Sequence, residues 1–205
     1  MYLGGLCCIT DRSISRLSFG DMALRALEAG IGWIQYRDKE SARRLLYEEA
    51  VRLRAVTREF NAVFIVNDHA DIAYAVDADG VHLGQDDLPL NEARKIMKKK
   101  IIGISAHSME QAKEAEKMGA DYIGFGPVFH TATKNAGTPK GIAMLREIRR
   151  EIRIPLVAIG GITPDTIQAV LAAGADAVAV ASSLLRGDIA KNAGKFLAII
   201  RSSEQ

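Results

Sequence analysis

The chain has 205 residues, 48% of them hydrophobic and 25% charged, the make-up of an ordinary soluble globular protein with a sizeable core. A net charge of +2 gives no ground for a nucleic-acid partner, and no apolar run approaches the roughly 20 residues of a membrane span. The two cysteines, Cys7 and Cys8, are adjacent. Neighbours on a strand face opposite ways, so a disulfide framework is excluded, a reducing cytoplasm is expected, and both thiols read as small core residues.

The N-terminus lacks a basic region followed by a long apolar stretch, so no signal peptide is expected. The first short apolar run, Leu3–Ile9, reads as a buried strand. A helical pattern over Asp21–Ala29 leads to a second run, Trp33–Tyr36, and a long amphipathic stretch, Ser41–Glu59. Val63–Val66, a short helical segment Ala70–Val76, and Gly80–Leu83 follow. Helix Leu90–Lys99 precedes the run Ile101–Ile104, and helix Met109–Lys117 precedes Tyr122–Phe125. Helix Ile142–Glu151, run Leu156–Ile159, helix Pro164–Ala172, run Ala177–Val180 and a last helix near Asn192–Ile200 complete the chain.

Strand–helix alternation implies parallel strands, because parallel neighbours need a crossover. Eight such runs in 205 residues point to an α/β fold: one closed (β/α)₈ barrel of parallel strands, a single domain over 1–205, with the active site on the C-terminal rim. An open doubly wound sheet is the structural alternative, and no Gly-x-Gly-x-x-Gly after the first strand supports its dinucleotide-binding version. Three near repeats, Glu28–Trp33, Lys117–Tyr122 and Ala172–Ala177, each end a helix on Gly and enter a strand. They belong at the bottom of a barrel, as stability elements.

Polar and glycine residues collect after the strands. Gln35, Arg37 and Lys39 alternate and so share a face; on a barrel strand that face points inward, where an Arg and a Lys need anions or an internal salt bridge to Asp68 or Asp87. Asn67-Asp68 and Gln85-Asp86-Asp87 end two further runs, and their carboxylates are hard ligands suited to Mg²⁺. Asp71 and Asp86 compete for that role on spacing alone, and Asp68 is also a plausible helix cap. His82 reads as a satisfied residue inside its strand, while Ser105 and His107 follow the fifth run. Thr131, Thr133 and Lys134 occupy a segment able to close on substrate. Gly160-Gly161 before Thr163-Pro164 offers backbone N–H groups and a helix start to a phosphate, and Ala181-Ser182 repeats the arrangement; Thr163 and Pro164 also suit an N-cap and first helical residue.

Taken together, Ile9-Thr-Asp11, Gln35-Tyr-Arg-Asp-Lys39, Val66-Asn-Asp68, Asp79–Asp87, Gly103–His107, Asp121–Pro127, Thr131-Ala-Thr-Lys134 and Ala158–Ile162 resemble the thiamine-phosphate synthase family, in order and spacing, over nearly the whole chain. The resemblance implies a transferase that joins hydroxymethylpyrimidine diphosphate to a thiazole phosphate, or its carboxylate, by Mg²⁺-assisted dissociative displacement. Gln35, Arg37, Lys39, Asn67, Ser105 and Lys134 would hold the pyrimidine diphosphate, with Arg37, Lys39, Lys134 and Ser105 acting in catalysis. Asp68 and Asp87 would hold Mg²⁺. Thr131, Thr133, Gly161, Ala181 and Ser182 would hold the thiazole phosphate. Ala181 stands where the family commonly has a larger aliphatic residue, a change that spares a backbone contact but bears on thiazole packing. The implied partners are these two small molecules, with no nucleic acid or membrane and a homodimer as the assembly allowed. A thiazole tautomerase, working through acid–base chemistry at His107, and a non-catalytic phosphate-binding barrel are the alternatives.

Overall fold

The structure, a computed structural model, describes residues 3–131 and 138–203. Its strands are β1 (Gly5–Thr10), β2 (Trp33–Tyr36), β3 (Val63–Asn67), β4 (Gly80–Leu83), β5 (Ile101–Ala106), β6 (Tyr122–Phe125), β7 (Leu156–Ile159) and β8 (Ala177–Val180). Each pairs in parallel with the next, and β8 closes on β1. The closed barrel excludes the open doubly wound sheet.

The helices are α1 (Phe19–Glu28), α2 (Arg43–Glu59), α3 (Ala70–Ala75), α4 (Leu90–Met97), α5 (Met109–Lys117), α6 (Gly141–Glu151), α7 (Ile167–Ala172), α8 (Ser182–Leu185) and α9 (Ile189–Ser203). Local chemistry sets several ends. Ser18 caps α1 by accepting from the Asp21 N–H at 3.0 Å, so the helix starts at Phe19 and not at Asp21. Ser108 does the same for α5 through the Gln111 N–H. Thr163 and Pro164 do not open α7: the Thr163 carbonyl accepts from Thr166 and Ile167 in a turn, and the helix begins three residues later than expected. Four-residue α8 is too short to leave a periodic signal in the sequence.

Alternation on the strands separates two apolar layers. Cys7, Ile9, Trp33, Ile65, Tyr122, Val157, Ala177 and Ala179 fill the barrel interior. Leu6, Cys8, Ile34, Phe64, Val66, Ile123, Phe125, Val178 and Val180 face the helices. Cys7 and Cys8 therefore sit on opposite faces, both buried. No helix of the described residues is long and apolar enough to cross a membrane.

The barrel bottom carries one device three times. Asp79, Asp121 and Asp176, each just before a strand, accept from the N–H of Phe64, Ile102 and Leu156 at 2.8, 2.7 and 2.7 Å. Each also pairs with an arginine from a helix: Arg54, Arg94 and Arg149 respectively. Two of these aspartates belong to the Gly-Ala-Asp repeats, which thus tie helix to strand at the end away from the polar rim.

Candidate active site

The C-terminal ends of β1 to β8 deliver polar side chains to one rim. Arg37, Ser105, His107, Thr131, Gly161, Ala181 and Ser182 line a single cavity there. Lys39, Asp68 and Asp87 form a cluster on the β2–β4 side of the rim, outside that lining. Thr133 and Lys134 lie outside the described residues.

One expectation changes in form. Gln35, Arg37 and Lys39 do not share a strand face, because β2 stops at Tyr36. Gln35 is buried inside the barrel, whereas Arg37 and Lys39 belong to the loop above it. Escape from the strand relieves the penalty of an interior charge, and each cation has an acidic partner. Arg37 pairs with Asp11, which is buried and whose other oxygen accepts from the Ser13 N–H at 2.9 Å and hydroxyl at 2.6 Å. Lys39 pairs with Asp68, one of the two internal partners anticipated for it.

The four acidic candidates separate. Asp68 does not cap α3, whose N-cap is His69 without a side-chain bond. It adopts φ 65° and donates its N–H to the His82 carbonyl at 2.8 Å, a left-handed turn that Asp tolerates better than most residues. Asp87 accepts from the Gly84 N–H at 2.6 Å and lies near the Asp68 carboxylate. Burial, joined by the neighbouring Asp68 charge, holds the Asp87 carboxyl above its ordinary value against the pull of Gly84 and Lys39. Asp71 instead pairs with Arg43 on the exposed side of α3, and Asp86 is exposed.

On the opposite side, Gly160 and Gly161 take φ 94° and 66°. A Cβ on Gly161 would stand 2.4 Å from the His130 carbonyl, so only glycine lets this loop pack against the segment after β6. The Ser183 hydroxyl donates to the Ile162 carbonyl at 2.7 Å and ties the loop after β7 to the start of α8. Gly161 and Ser182 both line the cavity, and Ser182 opens α8, whose first-turn N–H groups lack intrahelical partners. His107 donates from Nδ1 to the Gly126 carbonyl at 2.7 Å, which leaves Nε2 as an acceptor.

Beneath the cavity, His82 bridges the Tyr122 hydroxyl (2.8 Å to Nδ1) and the Ser105 hydroxyl (2.9 Å to Nε2). The expected satisfied histidine is therefore joined to a cavity residue. Gln85 donates to the Ser105 carbonyl at 2.6 Å. Asp11, Ser183, Gln85 and Tyr122 were given no role from the sequence. Asp11 carried the same signal as Asp68 and Asp87, a carboxylate ending an apolar run.

A family model described as thiamine monophosphate synthase matches residues 6–184. Over 183 residues the chain is 47% identical to a thiamine-phosphate synthase of Syntrophomonas wolfei, covering 88% of each. It is 43% identical over 202 residues to one from Chloroflexus aurantiacus, covering 98% of this chain and 94% of that one. Among solved structures, thiamine phosphate pyrophosphorylase from Pyrococcus furiosus superposes with a TM-score of 0.90 at 42% identity, over 97% of this chain and 96% of that one.

Proposed function

The chain belongs to the thiamine monophosphate synthase family, a family of transferases, and on that premise we propose that it joins hydroxymethylpyrimidine diphosphate to a thiazole phosphate. The thiazole nitrogen forms the new C–N bond, the C–O bond to the diphosphate breaks, and the products are thiamine phosphate and pyrophosphate. The observation that carries this reading is a polar rim with the Asp68–Asp87 carboxylate pair on its β2–β4 side and a cavity lined by Arg37, Ser105, Thr131, Gly161 and Ser182.

The carboxylate pair fits Mg²⁺. The Asp68 charge helps to raise the proton affinity of Asp87, a pairing that favours a cation at the two carboxylates, and Mg²⁺ is commonly held by one or two carboxylates plus substrate phosphate oxygens and water. Among the described residues no group of three or more His, Cys, Asp and Glu side chains could hold a metal, so substrate oxygens and water would have to supply the remaining ligands. Bound there, Mg²⁺ would act as a Lewis acid toward the departing diphosphate.

The chain's own residues would do the rest. Arg37, fixed by Asp11, would offer its planar fork to diphosphate oxygens. Lys39 and Lys134 would add point charges, and Asn67, Gln35 and Ser105 would orient the pyrimidine half. Thr131, Thr133 and the backbone at Gly161, Ala181 and Ser182 would take the thiazole phosphate. Departure of pyrophosphate ahead of attack leaves a pyrimidine carbocation, so no protein nucleophile is required; closing the cavity keeps water from it.

Purified protein given both phosphorylated substrates and Mg²⁺ should form thiamine phosphate, detected by chromatography. No product under those conditions, with isomerisation of the thiazole carboxylate phosphate instead, would overturn the reading in favour of a tautomerase.

A further inference from the structure

Three residues form a continuous polar chain ending at the cavity: the Tyr122 hydroxyl meets His82 Nδ1, and His82 Nε2 meets the Ser105 hydroxyl. The Gln35 side chain lies near the phenol. Gln35 and His82 are both buried. The chain is built at some expense of strand regularity. Gly103 lies between His82 and Tyr122 in register, and a Cβ there would fall 2.0 Å from the Tyr122 ring. Gly124, opposite Ser105, would place a Cβ 2.7 Å from the His82 ring. Both rings cross a neighbouring strand at the points where no side chain blocks them. Trp33 packs edge-on against Tyr122 at 5.4 Å and holds the phenol from below.

We propose that Tyr122 and His82 form a one-way hydrogen-bond relay that makes the Ser105 hydroxyl a donor to the substrate, with both as positioning residues. The direction follows from counting protons. Among the described residues the buried Tyr122 hydroxyl meets His82 Nδ1, and its single proton goes there, since the opposite arrangement would bury that proton without an acceptor. A neutral imidazole has one N–H, which must then be on Nε2 and donate to Ser105. The Ser105 oxygen is thereby filled as an acceptor, and its own proton turns to the cavity. Both rings are buried and both imidazole nitrogens face hydroxyls, a setting that favours a neutral imidazole and a protonated phenol. The reverse chain would aim Ser105 lone pairs at a cavity that Arg37 prepares for an anion.

The proposal deepens the proposed function, which supplies the acceptor: an oxygen or ring nitrogen of the pyrimidine diphosphate. ¹⁵N-detected NMR on histidine-labelled protein, without substrate, reads the tautomer directly. The His82 signals, assigned by their loss in His82→Gln, should show Nε2–H with Nδ1 unprotonated, while His107 should show Nδ1–H. An Nδ1–H tautomer at His82 would overturn the relay whatever reaction the protein catalyses. Kinetics supply the second arm. Tyr122→Phe keeps the ring and removes the proton, and should lower kcat/KM for the pyrimidine diphosphate about fivefold. In a Ser105→Ala background the same change should cost less than about twofold, because its effect runs through the missing hydroxyl. Equal losses in both backgrounds would mean that Tyr122 serves packing alone. A wild-type protein without activity would sink the proposed reaction and leave the tautomer to decide the relay.

Discussion

Asp87 and His82 show how burial gives neighbouring side chains opposite tasks. Asp87 is held above its usual range by burial and by Asp68, so a cation at the pair should be tightly coupled to turnover. Asp87→Ala should lower Mg²⁺-dependent kcat/KM by about 100-fold or more, on the scale of the several kcal/mol that metal charge stabilisation supplies. The circular dichroism spectrum should not change; unchanged turnover would remove Asp87 from the metal site. His82 carries a stability consequence instead. Its folded value, about 4, lies below the ordinary 6.5, so protonation favours the unfolded chain. The stability contributed by the neutral ring is complete above about pH 6.5 and is lost as pH falls from there towards 4. Denaturant titrations of the wild type should show a loss in that window that His82→Gln flattens. Parallel losses in both proteins would place the acid sensitivity elsewhere. Much of this was legible in the residues: carboxylates that end apolar runs marked Asp68 and Asp87. The different partners of Asp68 and Asp71 were not, because one residue of backbone at φ 65° turns one carboxylate to Lys39 while the helix turns the other to Arg43.

Elements are joined by repeated devices at the bottom and by unique ones at the top. Arg54 is largely buried and its Nε lacks a partner among the described residues, whereas Arg94 is more exposed. Removing Asp79 would strand a buried guanidinium and the Phe64 N–H, so Asp79→Ala should cost ~3 kcal/mol. Asp121→Ala should cost ~1 kcal/mol, since solvent takes over part of the pairing. Chemical denaturation measures both, and the opposite order would refute the assigned roles of the clamps. At the top, Gly161→Ala would drive a Cβ into the His130 carbonyl. It should raise KM for the thiazole phosphate about tenfold or more while leaving KM for the pyrimidine diphosphate within about twofold, as expected for a displaced loop that meets only one substrate. The sequence carried the glycine pair plainly. It misplaced the start of α7, because Thr163 and Pro164 suit a cap and a turn equally well and tertiary packing selected the turn.

The whole molecule is a closed barrel whose interior is filled by side chains up to the level of the polar rim. Its stability rests on those apolar layers, so chelation should stop turnover without lowering the melting temperature by more than about 2 °C, a shift below the few degrees that 1 kcal/mol produces in a chain of this size. A large drop, followed by calorimetry with and without chelator, would mean that a metal holds the fold. The sequence by itself determined the order of strands and helices, the parallel closed sheet and the end at which chemistry collects, because hydrophobic period and connection length act locally along the chain. It also marked polar strand ends one at a time. Only the tertiary structure decided which of them meet: Arg37 with Asp11, Lys39 with Asp68, Ser105 with His82 and, through it, Tyr122. Those pairings span 26, 29, 23 and 40 residues. They depend on barrel register and on Gly103 and Gly124 leaving room for two rings, which no local pattern encodes. At the same rim, register also sets Asp87 close enough to Asp68 to feel its charge.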